Sequence, residues 1–304
     1  MSRRYVVMAL QGGLGNQLFQ YASGLGLARS LDAEIFFDPR QVAPGEEWIP
    51  DLVGTDYRVA SQAQLNRLGV LHRGERARDE FLRLAGMRVV TFARRVRGRT
   101  GVRQPLHHDL SQVGVFDERM LHLDLPVYFC DYYQTERWFT NVADHVAAQL
   151  RLPAVEPLRP PGAAPEAPTV ALSFRRGDYL RFGWQLPMSY YEHALARMVD
   201  EVPGATFVVF GDDPVFTGFA INWVERFGPA VSAYSRGAHE LVHLALAAAC
   251  DHALIANSSF AWWGAWLGDR RVGPDADRLV LAPADYPARF GADVVPERWG
   301  TIES

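Results

Sequence analysis

The chain alternates between two hydrophobic periods. RYVVMAL (4–10) is a short apolar run bounded by a glycine cluster, the pattern of a buried strand. QLFQYASGLGLARSL (17–31) then spaces its apolar positions as a helix, and AEIFFD (33–38) returns to strand, a βαβ opening. Residues from about 55 to 105 are rich in arginine and leucine at helical spacing and carry no motif. PVYFCDYYQ (126–134) reads as a strand and RWFTNVADHVAAQL (137–150) as a helix.

From residue 169 the alternation is cleaner. TVALSF is a strand, RRGDY a loop, and SYYEHALARMV a helix with Ser189 as N-cap. TFVVFGDD is a strand followed by helix-compatible PVFTGFAINWVERFG. HELVHLALAAAC is a helix, HALIANSS a strand and loop, FAWWGAWLG a short helix and RLVLAP a last strand. Strands alternating with helices predict parallel sheets covered on both faces, with ligands at the carboxyl ends of the strands. The proline-rich stretch 151–168 interrupts this pattern and reads as a linker. The expected fold class is therefore α/β: two Rossmann-like domains, 1–152 and 169–304, joined by a linker at 153–168 and facing a central cleft.

Composition narrows the chemistry. The chain has 304 residues, 48% of them apolar, and a formal net charge of −4, which gives no global case for nucleic acid or an anionic membrane. An anionic ligand would need a local basic site. There is no lysine, and all 31 basic residues are arginine, which excludes a Walker A loop, a pyridoxal Schiff base and any lysine nucleophile. Cys130 and Cys250 lie in apolar runs and read as buried free thiols. Without a secretory signal or an 18-residue apolar span, the expectation is a cytoplasmic protein, at most peripheral at the inner membrane.

Four segments come directly after strands, where α/β sheets place their sites. Gly12-Gly13-Leu14-Gly15-Asn16-Gln17 opens a helix and offers N–H groups and amide donors. It is not a dinucleotide fingerprint, because the third glycine would fall at Leu18. Arg175-Arg176-Gly177-Asp178-Tyr179 puts two guanidinium groups at a strand end, suited to a phosphate or to a structural Arg–Asp pair. Asp212 and Asp213 precede Pro214, so they contact sugar hydroxyls or cap the next helix. Asn257 to Trp266 sets Ser258 and Ser259 at a helix start, a second phosphate corner, with the tryptophans as core.

HELVH (239–243) matches the H-E-x-x-H zinc signature. The extension of that motif needs glycine and histidine where Leu246 and Ala249 stand. His107, His108 and His122 read as surface or core histidines rather than as a base.

GGLGNQLFQYA, FRRGDY, FGDDP and ANSSFAWWGAWL, in this order, together with VLAPADYP and VVPERW, resemble the bacterial α-1,2-fucosyltransferase family. The resemblance implies a GT-B architecture and inverting, metal-independent transfer of L-fucose from GDP-fucose to a sugar hydroxyl, commonly the 2-OH of a galactoside. The partners implied are a nucleotide sugar and an oligosaccharide or glycoside acceptor, with no cofactor. By position, Arg175 matches the arginine on the donor β-phosphate. Gly13, Asn16 and Gln17 match the N-terminal active-site loop, and Ser258, Ser259 and Phe260 the donor-phosphate corner. Asp178 is the candidate base and Asp212 a donor-side carboxylate.

Two positions depart from the family pattern. Ser173 stands where the family has histidine, and His243 where it has an aspartate suited to accept the guanine N1–H and N2–H₂ donors. Glu240, one turn earlier, is the remaining acid. Three alternatives stand beside the main reading: the same mechanism with another nucleotide-sugar donor, a non-catalytic glycan-binding module, and an H-E-x-x-H zinc hydrolase.

Overall fold

The structure is a computed structural model that describes residues 4–46, 48–54, 57–70, 113–236, 239–284, 286 and 291–303. Most of the arginine- and leucine-rich stretch, with His107 and His108, lies outside the described residues. The chain forms two compact units. The described residues up to 70 join Phe116–Val146 in one, and residues 113–115 join the chain from Ala147 onward in the other.

In the first unit β1 (Tyr5–Ala9) runs into α1 (Leu14–Ser30) and β2 (Glu34–Asp38), succeeded by the short helices α2 (Ile49–Val53) and α3 (Gln62–Arg67). β3 (Val127–Phe129) completes an all-parallel sheet of order β2-β1-β3 with β1 wholly buried. The strand expected over 126–134 stops at Phe129, and Tyr133 beyond it takes a left-handed φ of 51° that no strand accommodates. The helix expected over 137–150 is two 3₁₀ turns, Glu136–Trp138 and Thr140–Val142, and then α4 (Ala143–Gln149). Phe139, at φ −132° between the turns, leaves helical geometry and breaks it. Cys130, just past β3, is half-buried rather than buried, whereas Cys250 is buried, and both thiols are free.

Asp38 closes β2 and fixes the start of the loop beyond it. Its carboxylate accepts Arg40 Nε at 2.7 Å, Arg40 Nη2 at 2.9 Å and the Tyr128 hydroxyl at 2.8 Å. Burial alone would push this carboxyl up, but the Arg40 and Tyr128 hydrogen bonds outweigh it and hold it below its ordinary 3.8.

The second unit contains β4 (Thr169–Phe174), α5 (Gly177–Phe182), α6 (Met188–Glu201), β5 (Thr206–Gly211), α7 (Pro214–Val224) and β6 (Ala230–Ser232). It continues through α8 (Glu240–Ala249), β7 (His252–Leu254), α9 (Ser259–Val272), β8 (Val280–Pro283) and β9 (Gly300–Ile302). The sheet order is β6-β5-β4-β7-β8-β9, with every pairing parallel. β6 and β9 have three residues each, too few for a period to show.

Three local expectations are corrected here. RRGDY is not all loop, because α5 starts at Gly177. The N-cap of α6 is Pro187, whose fixed φ suits a helix entry, and Ser189 lies inside the first turn. α9 runs 14 residues and stops at Gly273, whose φ of 87° favours glycine. Both units are thus α/β with all-parallel sheets, the architecture of the two Rossmann-like domains of a GT-B protein. No described helix is long and apolar enough to cross a membrane.

The strand order reverses between β4 and β7, and the two strands part there. Their ladder ends at Leu172 opposite Leu254. Beyond it the Ala256 N–H donates to Ser173 Oγ at 2.8 Å, and the Tyr190 hydroxyl donates to the Ile255 carbonyl at 2.6 Å. Side chains replace ladder bonds, as buried backbone groups require.

Single substitutions test the two sets of bonds. Asp38→Asn is expected to cost about 1.5–3 kcal/mol in denaturant unfolding at neutral pH. Since the folded carboxyl lies below 3.8, its contribution is present above that pH and lost as pH falls through the lower folded value. A variant with the same acid profile as the native protein would disprove the assignment. Ser173→Ala leaves the buried Ala256 N–H without its acceptor and is expected to cost about 1–3 kcal/mol in the same assay.

Candidate functional site

In a parallel sheet all carboxyl ends gather along one edge, and ligands sit where strand order reverses. In the second unit that point lies between β4 and β7. The chain leaving β4 carries Arg175 to Tyr179, that leaving β5 carries Asp212 and Asp213, and that leaving β7 carries Asn257 to Phe260.

Arg175 is held from two sides. Its Nη2 is 2.6 Å from Asp178 Oδ1 and its Nη1 2.6 Å from Asp212 Oδ2, while the guanidinium lies 5.0 Å from the centre of the Tyr179 ring. Asp212 also accepts the Arg176 N–H at 2.8 Å. A Cβ on Gly177 would stand 2.5 Å from Asp212 Oδ2, so only glycine permits this approach. Arg176 lies 4.1 Å over the Phe216 ring, with Nε 3.9 Å from Asp213. Asp213 Oδ1 accepts the Phe216 N–H at 3.0 Å and caps α7. The two carboxylates left open by the sequence therefore divide the work: Asp213 caps, and Asp212 holds the arginine. The structural Arg–Asp pairing is present as well.

Burial pushes the Tyr179 phenol up to about 12 even though Arg175 nearby draws it down, so it remains a donor. It donates to the Asn257 carbonyl at 2.9 Å, while Asn257 Nδ2 donates to the Trp184 carbonyl at 2.8 Å. These bonds fasten the arginine-bearing segment to the start of α9. Tyr179 and Asn257 stand inside the quoted motifs, but nothing in the pattern signals their use, because their partners are backbone carbonyls.

Ser258 is the N-cap of α9, in extended geometry and without a side-chain cap bond. Ser258, Ser259 and Phe260 are half-buried. The first-turn N–H groups and two hydroxyls thus form the positive end of a 14-residue helix beside the arginine strand. Trp262, Trp263 and Trp266 are buried in the core behind it.

The two HELVH histidines differ in environment. His239 is the exposed N-cap of α8, and its Nδ1 accepts the Leu241 N–H at 3.2 Å. His243 is buried edge-on to Phe210, at 6.2 Å and 80°, and to Tyr234, at 4.9 Å and 83°. The Tyr234 hydroxyl donates to the Gly211 carbonyl at 2.6 Å. Glu240 is exposed on the first turn.

In the first unit Gly13 is exposed at the start of α1, with no neighbour within 4 Å of where a Cβ would stand. Asn16 Oδ1 accepts Gln134 Nε2 at 2.7 Å. Gln17 is fully buried: its Nε2 donates to the Gly12 and Glu46 carbonyls at 2.8 and 2.7 Å, and its Oε1 accepts the Trp48 N–H at 3.3 Å. Gln17 is thus a clamp on the loop, with its amide groups engaged by backbone. Arg175, Asp178 and Asp212 come together, Ser258 to Phe260 open α9 past the end of the neighbouring β7, and Glu240 and His243 occupy α8 of the same unit.

The profile of glycosyl transferase family 11 matches residues 113–275, just over half of the chain. The O-antigen biosynthesis glycosyltransferase WbnK of Escherichia coli is 27% identical over 311 residues, covering 91% of this chain and 93% of its own. An α-1,2-colitosyltransferase of Escherichia coli is 28% identical over 150 residues, covering 44% and 48%. Among solved structures, an Arabidopsis thaliana FUT1 mutant in complex with GDP aligns with a TM-score of 0.52 at 14% identity, over 94% of this chain and 72% of that one, which is a likeness of fold. The chain is a glycosyltransferase and belongs to glycosyl transferase family 11.

Proposed function

We propose that the protein is an inverting, metal-independent glycosyltransferase that moves L-fucose from GDP-fucose to a hydroxyl of an oligosaccharide or glycoside, foremost the 2-OH of a galactoside in α-1,2 linkage. The observation that carries this reading is the pairing, across the β4/β7 reversal, of Arg175 with the uncapped N-terminus of α9. In a single displacement the acceptor oxygen bonds to the sugar C1 as the C1–O bond to the β-phosphate breaks. The electron pair leaves with the nucleoside diphosphate, and the hydroxyl proton passes to a base. Charge growing on the diphosphate needs fixed donors, and Arg175 with the α9 N–H groups and the Ser258 and Ser259 hydroxyls supplies them. Family membership supports sugar transfer, and the relative named for O-antigen biosynthesis supports an oligosaccharide acceptor.

A second reading, the same mechanism with another donor, draws on two observations. One relative is named for colitosyl rather than fucosyl transfer. His243 is buried between two rings, where the resemblance implies a base-reading carboxylate. Glu240, exposed on the same helix, is the acid left to accept the guanine donors.

Nucleotide release with GDP-fucose and a panel of galactosides, against UDP-, dTDP- and CDP-sugars, separates the readings. GDP-fucose is expected to turn over, with activity unaffected by EDTA. Binding of glycan with no turnover of any donor would instead favour a non-catalytic module, and stoichiometric zinc lost with activity on chelation a zinc hydrolase. Arg175→Ala is expected to lower kcat/KM by about 10²–10³; near-native turnover would remove Arg175 from the site. Calorimetry of Glu240→Gln is expected to weaken GDP by about tenfold and leave UDP unchanged, and an equal effect on both would end its role as base reader.

A further inference from the structure

We infer that Asp178 occupies the diphosphate position on Arg175 in the free protein and must leave it for the donor to bind, so that it acts as a competing carboxylate. The inference rests on the proposed role of Arg175 as the diphosphate cation. Both terminal nitrogens of that guanidinium are taken, each by a carboxylate oxygen at 2.6 Å. A planar fork offers carboxylates and phosphates the same geometry, so a diphosphate that grips both terminal nitrogens competes with these carboxylates for them.

The structure distinguishes which one can go. Asp212 is built in: it also accepts the Arg176 N–H at 2.8 Å, its side chain is 24% exposed, and Gly177 is the residue that lets it approach. Asp178 stands on the first turn of α5 with its side chain 52% exposed. An exposed ion pair of this kind is weak and easily exchanged. Charge points the same way. Arg175 and Arg176 face Asp178, Asp212 and Asp213, two positive groups against three negative, so the cluster repels a multiply charged anion until a carboxylate withdraws. When the nucleotide departs, Asp178 returns and Arg175 is again held from both sides.

The test is calorimetric binding of inorganic pyrophosphate and of GDP to the full chain and to Asp178→Asn, Arg175→Ala and the double variant, with GDP inhibition of turnover as a second readout. Pyrophosphate probes the subsite without the base. Asp178→Asn is expected to bind both ligands about fivefold more tightly, the scale of removing one exposed charge. The gain should vanish in the Arg175→Ala background, as a double-mutant cycle requires when two side chains act on the same ligand. Unchanged or weaker binding by both Asp178→Asn and Asp178→Ala, with Arg175→Ala still weakening it, would overturn the inference and leave Asp178 as the group that orients the arginine. If Arg175→Ala itself leaves pyrophosphate binding unchanged, the donor-site reading fails with it.

Discussion

The second unit is organised by the parting of β4 and β7. Two adjacent parallel strands that feed helices on opposite faces cannot stay paired to their ends, and the separation leaves the backbone of 255–257 without a ladder on that side. An unpaired buried peptide group costs as much as a lost hydrogen bond. Each is met by a side chain from a different element: Ser173 for the Ala256 N–H, Tyr190 for the Ile255 carbonyl, Tyr179 for the Asn257 carbonyl. On the proposed reading the chemistry uses the same opening, because Arg175 and Ser258 sit just past these bonds. Where the resemblance implies an imidazole, the hydroxyl of Ser173 serves the chain's own backbone.

Arginine carries loads at the opposite edge of the sheet that lysine could not. Asp269 accepts Arg278 Nε at 3.1 Å, Arg298 Nε at 2.9 Å and Trp299 Nε1 at 2.8 Å. Arg271 reaches the Ala248 and Cys250 carbonyls at 2.9 and 3.2 Å, closing the end of α8, and Arg278 reaches the Asp251 carbonyl at 2.7 Å. One planar fork satisfies several carbonyls at once, whereas an ammonium is a point charge on a flexible stem. The absence of lysine, whatever its origin, has been absorbed into the packing.

How far the sequence could be read depended on length and partner type. Long apolar periods placed β1, α1, β4, β5 and α8, and the residues just past β4 and β7 stood out as a candidate phosphate site because guanidinium groups and hydroxyls gather there at strand ends. Three-residue strands such as β6 and β9 carry no period. Tyr133 at positive φ and the break at Phe139 are conformations that no local propensity announces. The division between Asp212 and Asp213 was invisible because neighbouring aspartates before a proline look alike until Gly177 is seen to admit one of them. Gln17 reads as a ligand donor in a glycine loop, yet its amide is consumed by the Gly12 and Glu46 carbonyls, contacts set by tertiary packing.

α8 and α9 meet through Gly264, where a Cβ would stand 2.8 Å from that of Ala247. Backbones packed this closely cannot slide or tilt against each other without a clash. On the proposed reading one of these helices faces the nucleobase and the other the phosphates, so the distance between the two ends of the nucleotide is built into a rigid gauge. A descendant of this chain that adopted a new base would have to do so by exchanging side chains around 240–243 while the gauge kept its length. On that reading a change of donor base is a change of side chains on one helix turn, made against a fixed phosphate grip.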